Sequence, residues 1–157
     1  MSNVYRPPTP PQPVLNAGRL WAGGAATALV AALIAVIGIL FGRGVLDVEV
    51  LARKADGVWG DASTGWYAAG AAAAALLATA LVQLLILTTP RPLRFFGWVI
   101  ALATVLAMLM PFVTDESRGS RWYTAGLNLV LGVAIGTLVA GVAKSSLRPA
   151  PAPIPYR

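Results

Sequence analysis

The chain has 157 residues, of which 57% are hydrophobic and only 11% are charged, and its formal net charge is +6. Because a soluble domain usually carries about 25% charged residues, this composition excludes an ordinary water-facing surface and predicts an integral membrane protein. The chain contains no cysteine and no histidine. This excludes disulfides, thiolate chemistry, histidine-ligated haem and the common zinc sites for the chain acting alone, and we expect no cofactor.

The N-terminal segment, residues 1–18, is predicted to be a proline-rich cytoplasmic arm. Prolines are dense from Pro7 to Pro13, and proline removes backbone donors and favours an extended polyproline II conformation. The C-terminal segment, residues 144–157, repeats the pattern and is predicted to be a second cytoplasmic arm. Such arms suit an aromatic groove on a cytoplasmic partner, and the simpler alternative is that they are unstructured.

Between the arms, residues 19–143 are predicted to form an all-α domain, a four-helix transmembrane bundle. Four apolar stretches are each long enough to cross a hydrocarbon core of about 30 Å. No acidic or basic residue lies in the interior of any of them. The predicted spans run from about 20 to 41, 66 to 87, 95 to 112 and 122 to 142.

The connections between the spans are polar. The longest is residues 42–64, in which residues 45–50 alternate partly with period two and predict a short strand or an interfacial segment. The second contains Pro90 and Pro92, which disfavour a continuous helix through it. Pro111 lies at the far end of the third span, where it either kinks the helix or ends it.

The distribution of charge predicts the orientation. The two terminal regions and the Pro90 turn together carry seven basic residues and no acid, whereas the other two connections carry five basic residues and all six acids. Cytoplasmic loops carry an excess of lysine and arginine, so both termini are predicted to be cytoplasmic, in a bacterial plasma (inner) membrane. Arg91 and Arg94 are expected to touch anionic lipid headgroups. Because the basic residues flank apolar spans, we expect no nucleic-acid partner.

Gln83 and Asn128 are the most polar side chains within the predicted spans. An amide in hydrocarbon needs hydrogen-bond partners, so both are predicted to face protein rather than lipid. The simpler interpretation is an interhelical hydrogen bond, for example one between these two residues. The alternative is a polar lining for a small-molecule path. Tyr67 is predicted only as one of the aromatic residues at a membrane boundary.

The fourth span carries a row of small or polar residues spaced four apart, which we call the glycine row. Its members are Asn128, Gly132, Gly136 and Ala140. The spacing places them on one helix face, where small residues let another helix approach closely. The row is predicted to pack inside the chain's own bundle, and the alternative is an interface with a second copy or another membrane protein.

The ionisable residues limit the functions that remain. Proton relays and ion-coupled transporters generally need ionisable groups in the interior of a span, so an autonomous pump or exchanger is disfavoured. The acids of the outer connections, such as Asp47 and Asp61, show no calcium-binding or catalytic spacing. We therefore predict no metal site, no catalytic residue and no enzymatic activity.

Four short segments in and around the spans are distinctive. They are Gly44-Val45-Leu46-Asp47-Val48, Trp59-Gly60-Asp61-Ala62-Ser63, Leu87-Thr88-Thr89-Pro90-Arg91-Pro92 and Phe96-Gly97-Trp98. In these segments the chain resembles an actinobacterial family of four-helix membrane proteins known only as a domain of unknown function. The resemblance covers about residues 19–143 and leaves out both arms. It implies a plasma-membrane location and a four-span fold, and it supplies no activity and no site residues.

The sequence therefore predicts an accessory or interaction subunit that packs with a larger membrane complex or with itself, surrounded by the lipid bilayer. The small size, the glycine row, the proline arms and the lack of catalytic groups favour it. The alternative is a small, oligomeric passive transporter or channel, with Gln83 and Asn128 lining the path. A membrane enzyme that acts on lipid through the outer acids ranks third.

The orientation can be tested with introduced cysteines, because the chain has none of its own. We expect a membrane-impermeant maleimide to label Thr9→Cys only after the cells are permeabilised, since the arm is predicted to be cytoplasmic. Ser117→Cys, in the connection predicted to lie outside, serves as the control and is expected to react in intact cells. Labelling of position 9 from outside would reverse the orientation.

Overall fold

The computed structural model describes residues 14–47, 50–53, 59–61, 63–113 and 117–148. Its elements in this part of the chain are four α-helices, one 3-10 helix and two short antiparallel ribbons. The helices are α1 (Ala17–Val45), α2 (Thr64–Thr88), α3 (Pro92–Leu109), the 3-10 helix Met110–Val113 and α4 (Arg118–Ser146). One ribbon pairs β1 (Val14–Leu15) with β4 (Leu147–Arg148), and the other pairs β2 (Leu51–Arg53) with β3 (Trp59–Asp61). Of the predicted arms at 1–18 and 144–157, residues 1–13 and 149–157 lie outside the described residues, whereas 14–18 and 144–148 belong to the β1–β4 ribbon and to the ends of α1 and α4.

Each of the four helices is long and apolar enough to cross a membrane. In chain order, the mean hydropathies of their most apolar windows are 2.5, 2.2, 2.2 and 2.0. The third value was obtained for α3 and the 3-10 helix taken together. The prediction of a helical fold with four such helices is therefore confirmed. The helices extend beyond the predicted spans, since α1 and α4 have 29 residues each. That length gives about 44 Å of helix, more than a hydrocarbon core of about 30 Å.

Side-chain caps set the N-terminal ends of the two longest helices. Asn16 Oδ1 accepts a hydrogen bond from the backbone N–H of Arg19 at 3.0 Å at the start of α1. Ser117 Oγ accepts one from the backbone N–H of Ser120 at 3.3 Å at the start of α4. Both caps satisfy donors that the first turn of a helix leaves free.

Prolines mark both ends of α3. Pro92 is its first residue, a position where the fixed φ of proline suits the helix and no backbone donor is lost. Pro111 is buried in the 3-10 helix that follows α3. Because proline cannot donate the next helical hydrogen bond, Pro111 ends the α-helix rather than kinking its middle.

The four helices pack as a diamond. α1 packs mainly against α2 and α4, α3 packs against α4 and α2, and α2 and α4 also meet each other across the centre. α1 and α3 therefore lie at opposite corners. Consecutive helices run in opposite directions, and the short connection from Thr88 to Pro92 brings α3 directly beside α2.

Small residues fill the contact between α1 and α2. Gly24 is buried against Thr79, so closely that a Cβ added at Gly24 would meet Thr79 Cγ2 and Oγ1 at 2.6 Å each. Real Cβ atoms do not come that close to other heavy atoms. The remaining buried side chains of the two helices are mostly alanine, including Ala28, Ala35 and Ala75. Helix association in lipid has little hydrophobic drive and depends on such close van der Waals packing.

The two ribbons close the ends of the bundle. The β1–β4 ribbon, with the backbone N–H of Asn16 donating to the carbonyl of Ser146 at 3.0 Å, joins the start of α1 to the end of α4. Residues 14 and 148, where the described part of the chain begins and ends, therefore lie side by side. The β2–β3 ribbon lies at the opposite end.

The strand expected at residues 45–50 is displaced along the chain. Val45 is the last residue of α1, residues 48–49 lie outside the described residues, and β2 begins at Leu51. Leu51 is buried, and its backbone N–H donates to Thr124 Oγ1 of α4 at 3.1 Å. A tertiary contact with α4, rather than the local alternation, therefore decides where the strand starts.

The contact at Gly24 gives a stability prediction. Gly24→Val is expected to lower the free energy of unfolding by about 1–3 kcal/mol, because the β-branched Thr79 has no room to yield. Thermal unfolding in mild detergent, followed by circular dichroism, would measure the change. Gly141→Val is the matched control, since a Cβ added there meets nothing within 4 Å. Equal stability of the two variants would show that this contact does not limit the packing.

Candidate functional site

A cleft lies between α2 and α3, with α4 as its floor. Its volume is about 690 Å³, within the range of about 300–1,000 Å³ that is usual for ligand pockets. On α2 it extends from Trp66 to Leu81, which corresponds to about 22 Å along the helix. We call this cavity the α2–α3 cleft. It runs along most of the apolar length of α2.

Small side chains open the cleft. On α2 its wall is formed in part by Gly70, Ala74 and Ala78, which are spaced four residues apart, and on α3 by Ala103 and Ala107. A Cβ added at Gly70 would meet no heavy atom within 4 Å. Small residues on both helices therefore leave space between larger lining side chains such as Leu77 and Val99.

Helix α3 is the most loosely held of the four. Only 11% of the most apolar window of α3 and its 3-10 extension is buried, against 28–33% for the windows of the other three helices. Phe96 is its one buried residue within the α-helical part. One face of α3 contacts α4, and most of its other large apolar side chains are exposed.

The glycine row of α4 holds α3 in place. A Cβ added at Gly132 would collide with Thr104 of α3, and one added at Gly136 would meet Ile100 Cγ2 at 2.9 Å. Gly132 and Gly136 thus pack inside the chain's own bundle. Ala140, the last member of the predicted row, lines a second groove between α3 and α4.

Asn128, the first member of the row, links three helices through its side chain. Its Nδ2 donates to the carbonyl of Ala107 in α3 at 2.7 Å, and its Oδ1 accepts from the hydroxyl of Tyr67 in α2 at 2.5 Å. The carbonyl of Ala107 would ordinarily accept from the N–H four residues later, but that residue is Pro111, which has none. The side-chain amide of Asn128 therefore donates to the Ala107 carbonyl in place of the backbone N–H that Pro111 lacks.

Gln83 lies elsewhere and has a different partner. Its Oε1 accepts from Trp21 Nε1 of α1 at 2.6 Å, so both amides make interhelical hydrogen bonds, but not with each other. Tyr67, the partner of Asn128, lies about 24 Å along α2 from Gln83. Asn128 lines the α2–α3 cleft and Gln83 does not, so this cleft is not a path that both amides line. Each amide instead accepts a hydrogen bond from an aromatic side chain at its own end of the bundle, Gln83 from Trp21 and Asn128 from Tyr67.

The predicted headgroup residues lie at the start of α3. Arg91 is the N-cap residue, Arg94 follows in the first turn, and both are exposed. Arg19 and Lys144 are exposed at the same end of the bundle, where α1 begins and α4 ends. Every acid of the sequence belongs to the connections at the opposite end. The ends of the bundle therefore differ in charge.

The cleft offers few groups for chemistry. Among the described residues that line it, Tyr67 is the only ionisable one, and the other side chains with polar groups are Trp66, Asn128 and Thr104. Thr104 donates to the carbonyl of Ile100 in its own helix at 2.7 Å. Among the described residues, no group of three or more acids that would suit a metal ion is found. The arrangement suits an apolar occupant that contacts the Tyr67–Asn128 pair at one end of the cleft.

Sequence comparison covers the whole bundle. A family profile matches residues 15–145, from the β1–β4 ribbon to the last turn of α4. The chain belongs to DUF6069, a family of unknown function. The DUF6069 region contains the cleft, the glycine row and both amides, and it leaves out the two arms. No curated protein and no solved structure matches the chain. The expectation of a family without a known activity is confirmed.

Sequence reasoning identified Asn128 and the glycine row but missed Tyr67, Gly70 and the cleft. Tyr67 was assigned to the membrane boundary, and Gly70 and Ala74 fall within or beside an alanine run that has no periodic pattern. One signal was present in the sequence. Pro111 leaves the carbonyl of Ala107 without its helical donor, and a buried donor such as Asn128 is the kind of residue that compensates for it.

The three-helix hydrogen-bond network gives a second stability prediction. We expect Tyr67→Phe to lower the free energy of unfolding by about 0.6 kcal/mol, the average for interhelical hydrogen bonds in a membrane protein. Asn128→Leu is expected to cost about 1–2 kcal/mol, because it removes two such bonds. Reversible unfolding in mixed micelles would measure both values.

Thr137→Val is the control for this series, since Thr137 bonds only to carbonyls of its own helix, at Val133 and Ala134. The role of the proline is tested in a Pro111→Ala background, which restores a backbone donor. There the cost of Asn128→Leu is expected to fall. If Asn128→Leu costs as much stability in the Pro111→Ala background as in the native chain, Asn128 does not compensate for the missing N–H of Pro111.

Proposed function

We propose that the protein is an accessory or interaction subunit of a bacterial plasma membrane, which packs with a larger membrane complex or with itself and has no enzymatic activity. The observation that carries the proposal is the α2–α3 cleft beside a loosely held helix. A membrane protein that only needed to be stable would gain from closing such a cleft. Its openness indicates that another molecule completes the packing.

A transmembrane helix of a partner is the occupant that the cleft suits best. Gly70, Ala74 and Ala78 form a row of small residues spaced four apart, opposite Ala103 and Ala107. Rows of this kind let two helix backbones approach closely in lipid. The cleft also runs for about 22 Å along α2, so a helix would contact it over several turns.

We further propose that the four helices are inserted in the membrane with both termini in the cytoplasm. The end of the bundle where α1 begins and α4 ends carries five basic residues and no acid among the described residues, as the positive-inside rule requires of the cytoplasmic side. The β1–β4 ribbon supports a common side for the two ends of the described chain. An actinobacterial source fits a composition with 16 glycines and few lysines.

The alternative of a passive channel assumed that Gln83 and Asn128 line the same path. The two residues lie at different ends of the bundle, which disfavours this alternative. The enzyme alternative depends on acids in the outer connections. Of the described residues there, Asp47 is exposed next to the end of α1, and no described group of acids forms a cluster. An interaction role needs none of these groups.

The proposal predicts that filling the cleft releases the partner. The tagged full chain, purified from its native membrane in mild detergent, is expected to have the mass of a larger assembly. Gly70→Leu places a large side chain in the open cleft and is expected to reduce the assembled fraction at least roughly tenfold, as loss of a central contact does. Intact-complex mass determination would measure that fraction.

Gly126→Leu is the matched control for this experiment. Gly126 is also exposed in a helix with nothing within 4 Å of an added Cβ, and it lines neither the cleft nor the second groove. Equal thermal midpoints would show that both variants fold. An assembly that survives Gly70→Leu as well as Gly126→Leu would exclude the cleft as the contact. A native protein found only as a monomer would overturn the accessory role.

A further inference from the structure

A second groove lies on the other side of α3, between α3 and α4. Its volume is about 490 Å³, and along α3 it extends from Leu93 to Met108, about 22 Å. The contacts of Thr104 with Gly132 and of Ile100 with Gly136 separate it from the α2–α3 cleft. We call it the α3–α4 groove.

The α3–α4 groove is apolar and open to the surroundings of the bundle. Gly97 and Ala101 line it from α3, and Gly136 and Ala140 line it from α4. Gly97 and Ala101 are exposed, and a Cβ added at Gly97 meets nothing within 4 Å. In a bilayer the groove faces the acyl chains directly, because no described part of the protein covers it.

One end of the groove carries positive charge. Arg94 lies three residues before Gly97 and Lys144 four residues after Ala140, so each continues a row of groove-lining residues on its own helix. Both side chains are exposed. The antiparallel register that pairs Thr104 with Gly132 and Ile100 with Gly136, continued by two turns, brings Lys144 level with Pro92. Arg94 and Lys144 therefore lie at about the same depth.

The first turn of α3 favours an anion at the same place, whereas the C-terminus of α4, which carries partial negative charge, does not. α3 begins at Pro92, so its N-terminus, which carries partial positive charge, lies at the mouth of the groove. All six acids of the chain belong to connections at the opposite end. None of the described residues that line the groove is charged, and Arg94 and Lys144 lie just beyond its lining at the end near Leu93 and Ala140. The groove thus has the charge pattern that is complementary to an amphiphile with one anionic end.

We propose that the α3–α4 groove binds an anionic phospholipid, with one acyl chain along the groove and the phosphate between Arg94 and Lys144. The length of the groove, about 22 Å, exceeds one leaflet of a hydrocarbon core of about 30 Å, so it accommodates an acyl chain from the leaflet of its own headgroup. A partner helix would fill the apolar part but would leave the charged mouth without a complement. The proposal rests on the placement of the helices in a membrane and does not depend on the accessory role.

The test is native mass spectrometry of the full chain with added phosphatidylglycerol, phosphatidylcholine of the same acyl chains, or glycerol phosphate. We expect one phosphatidylglycerol to be retained and the other two to be lost at the same concentration. Arg94→Gln and Lys144→Gln are each expected to weaken retention about fivefold, since a basic residue near the surface contributes about that factor to anionic lipid binding. Gly97→Leu, which fills the groove, is expected to abolish retention of the single lipid.

Two matched variants control for general effects. Arg19→Gln removes the same charge at the same end of the bundle but on α1, and Gly126→Leu adds the same side chain outside the groove. Both are expected to retain the lipid as the native chain does. Equal retention of phosphatidylcholine, or equal weakening by Arg19→Gln, would show that Arg94 and Lys144 form no site. Retention of glycerol phosphate as strong as that of the lipid would show that the groove is not used.

Discussion

The structure depends on close contact between helix backbones at small residues. Gly24 meets Thr79 between α1 and α2, and Gly132 meets Thr104 between α4 and α3. In a bilayer the surrounding lipid is as apolar as the side chains, so burying apolar surface gains little and packing must come from close approach and a few hydrogen bonds. Positions where a glycine admits a neighbouring side chain therefore fix which helices touch. The remaining surface is left for lipid or for partners.

The position of α3 follows from that constraint. Gly132 and Gly136 of α4 pack against one face of α3. On the side of α3 that faces α2, small residues of both helices leave a gap. The result is a helix with the α2–α3 cleft on one side and the α3–α4 groove on the other. Asn128 compensates for this loose packing at one end, because its amide ties α3 to α2 and α4 through polar bonds. The helix least buried by the bundle is thus also the one that offers both proposed binding surfaces.

Part of the candidate site could be predicted from the sequence. Asn128 had to find partners because an unpaired amide in an apolar medium is costly, and the spacing of Gly132 and Gly136 required a neighbour at close range. The identity of the neighbours could not be predicted. Gln83 and Asn128 seemed natural partners as the two amides of the spans, yet Trp21 and Tyr67 are nearer to them in space. Tyr67 is predicted from the sequence only as a residue of the membrane boundary, where it needs no protein partner.

The sequence by itself determined four long apolar helices, because uninterrupted apolar stretches of that length can satisfy their backbone only as helices. It also determined the turn between α2 and α3, since Pro90 and Pro92 prevent a continuous helix, and the charge difference between the two ends. Only the tertiary structure decided where β2 begins, which amide bonds to which aromatic residue, and where the cleft and the groove lie. Those features depend on how the helices are rotated against one another. That rotation is set by contacts between residues far apart in the chain, which no local pattern records.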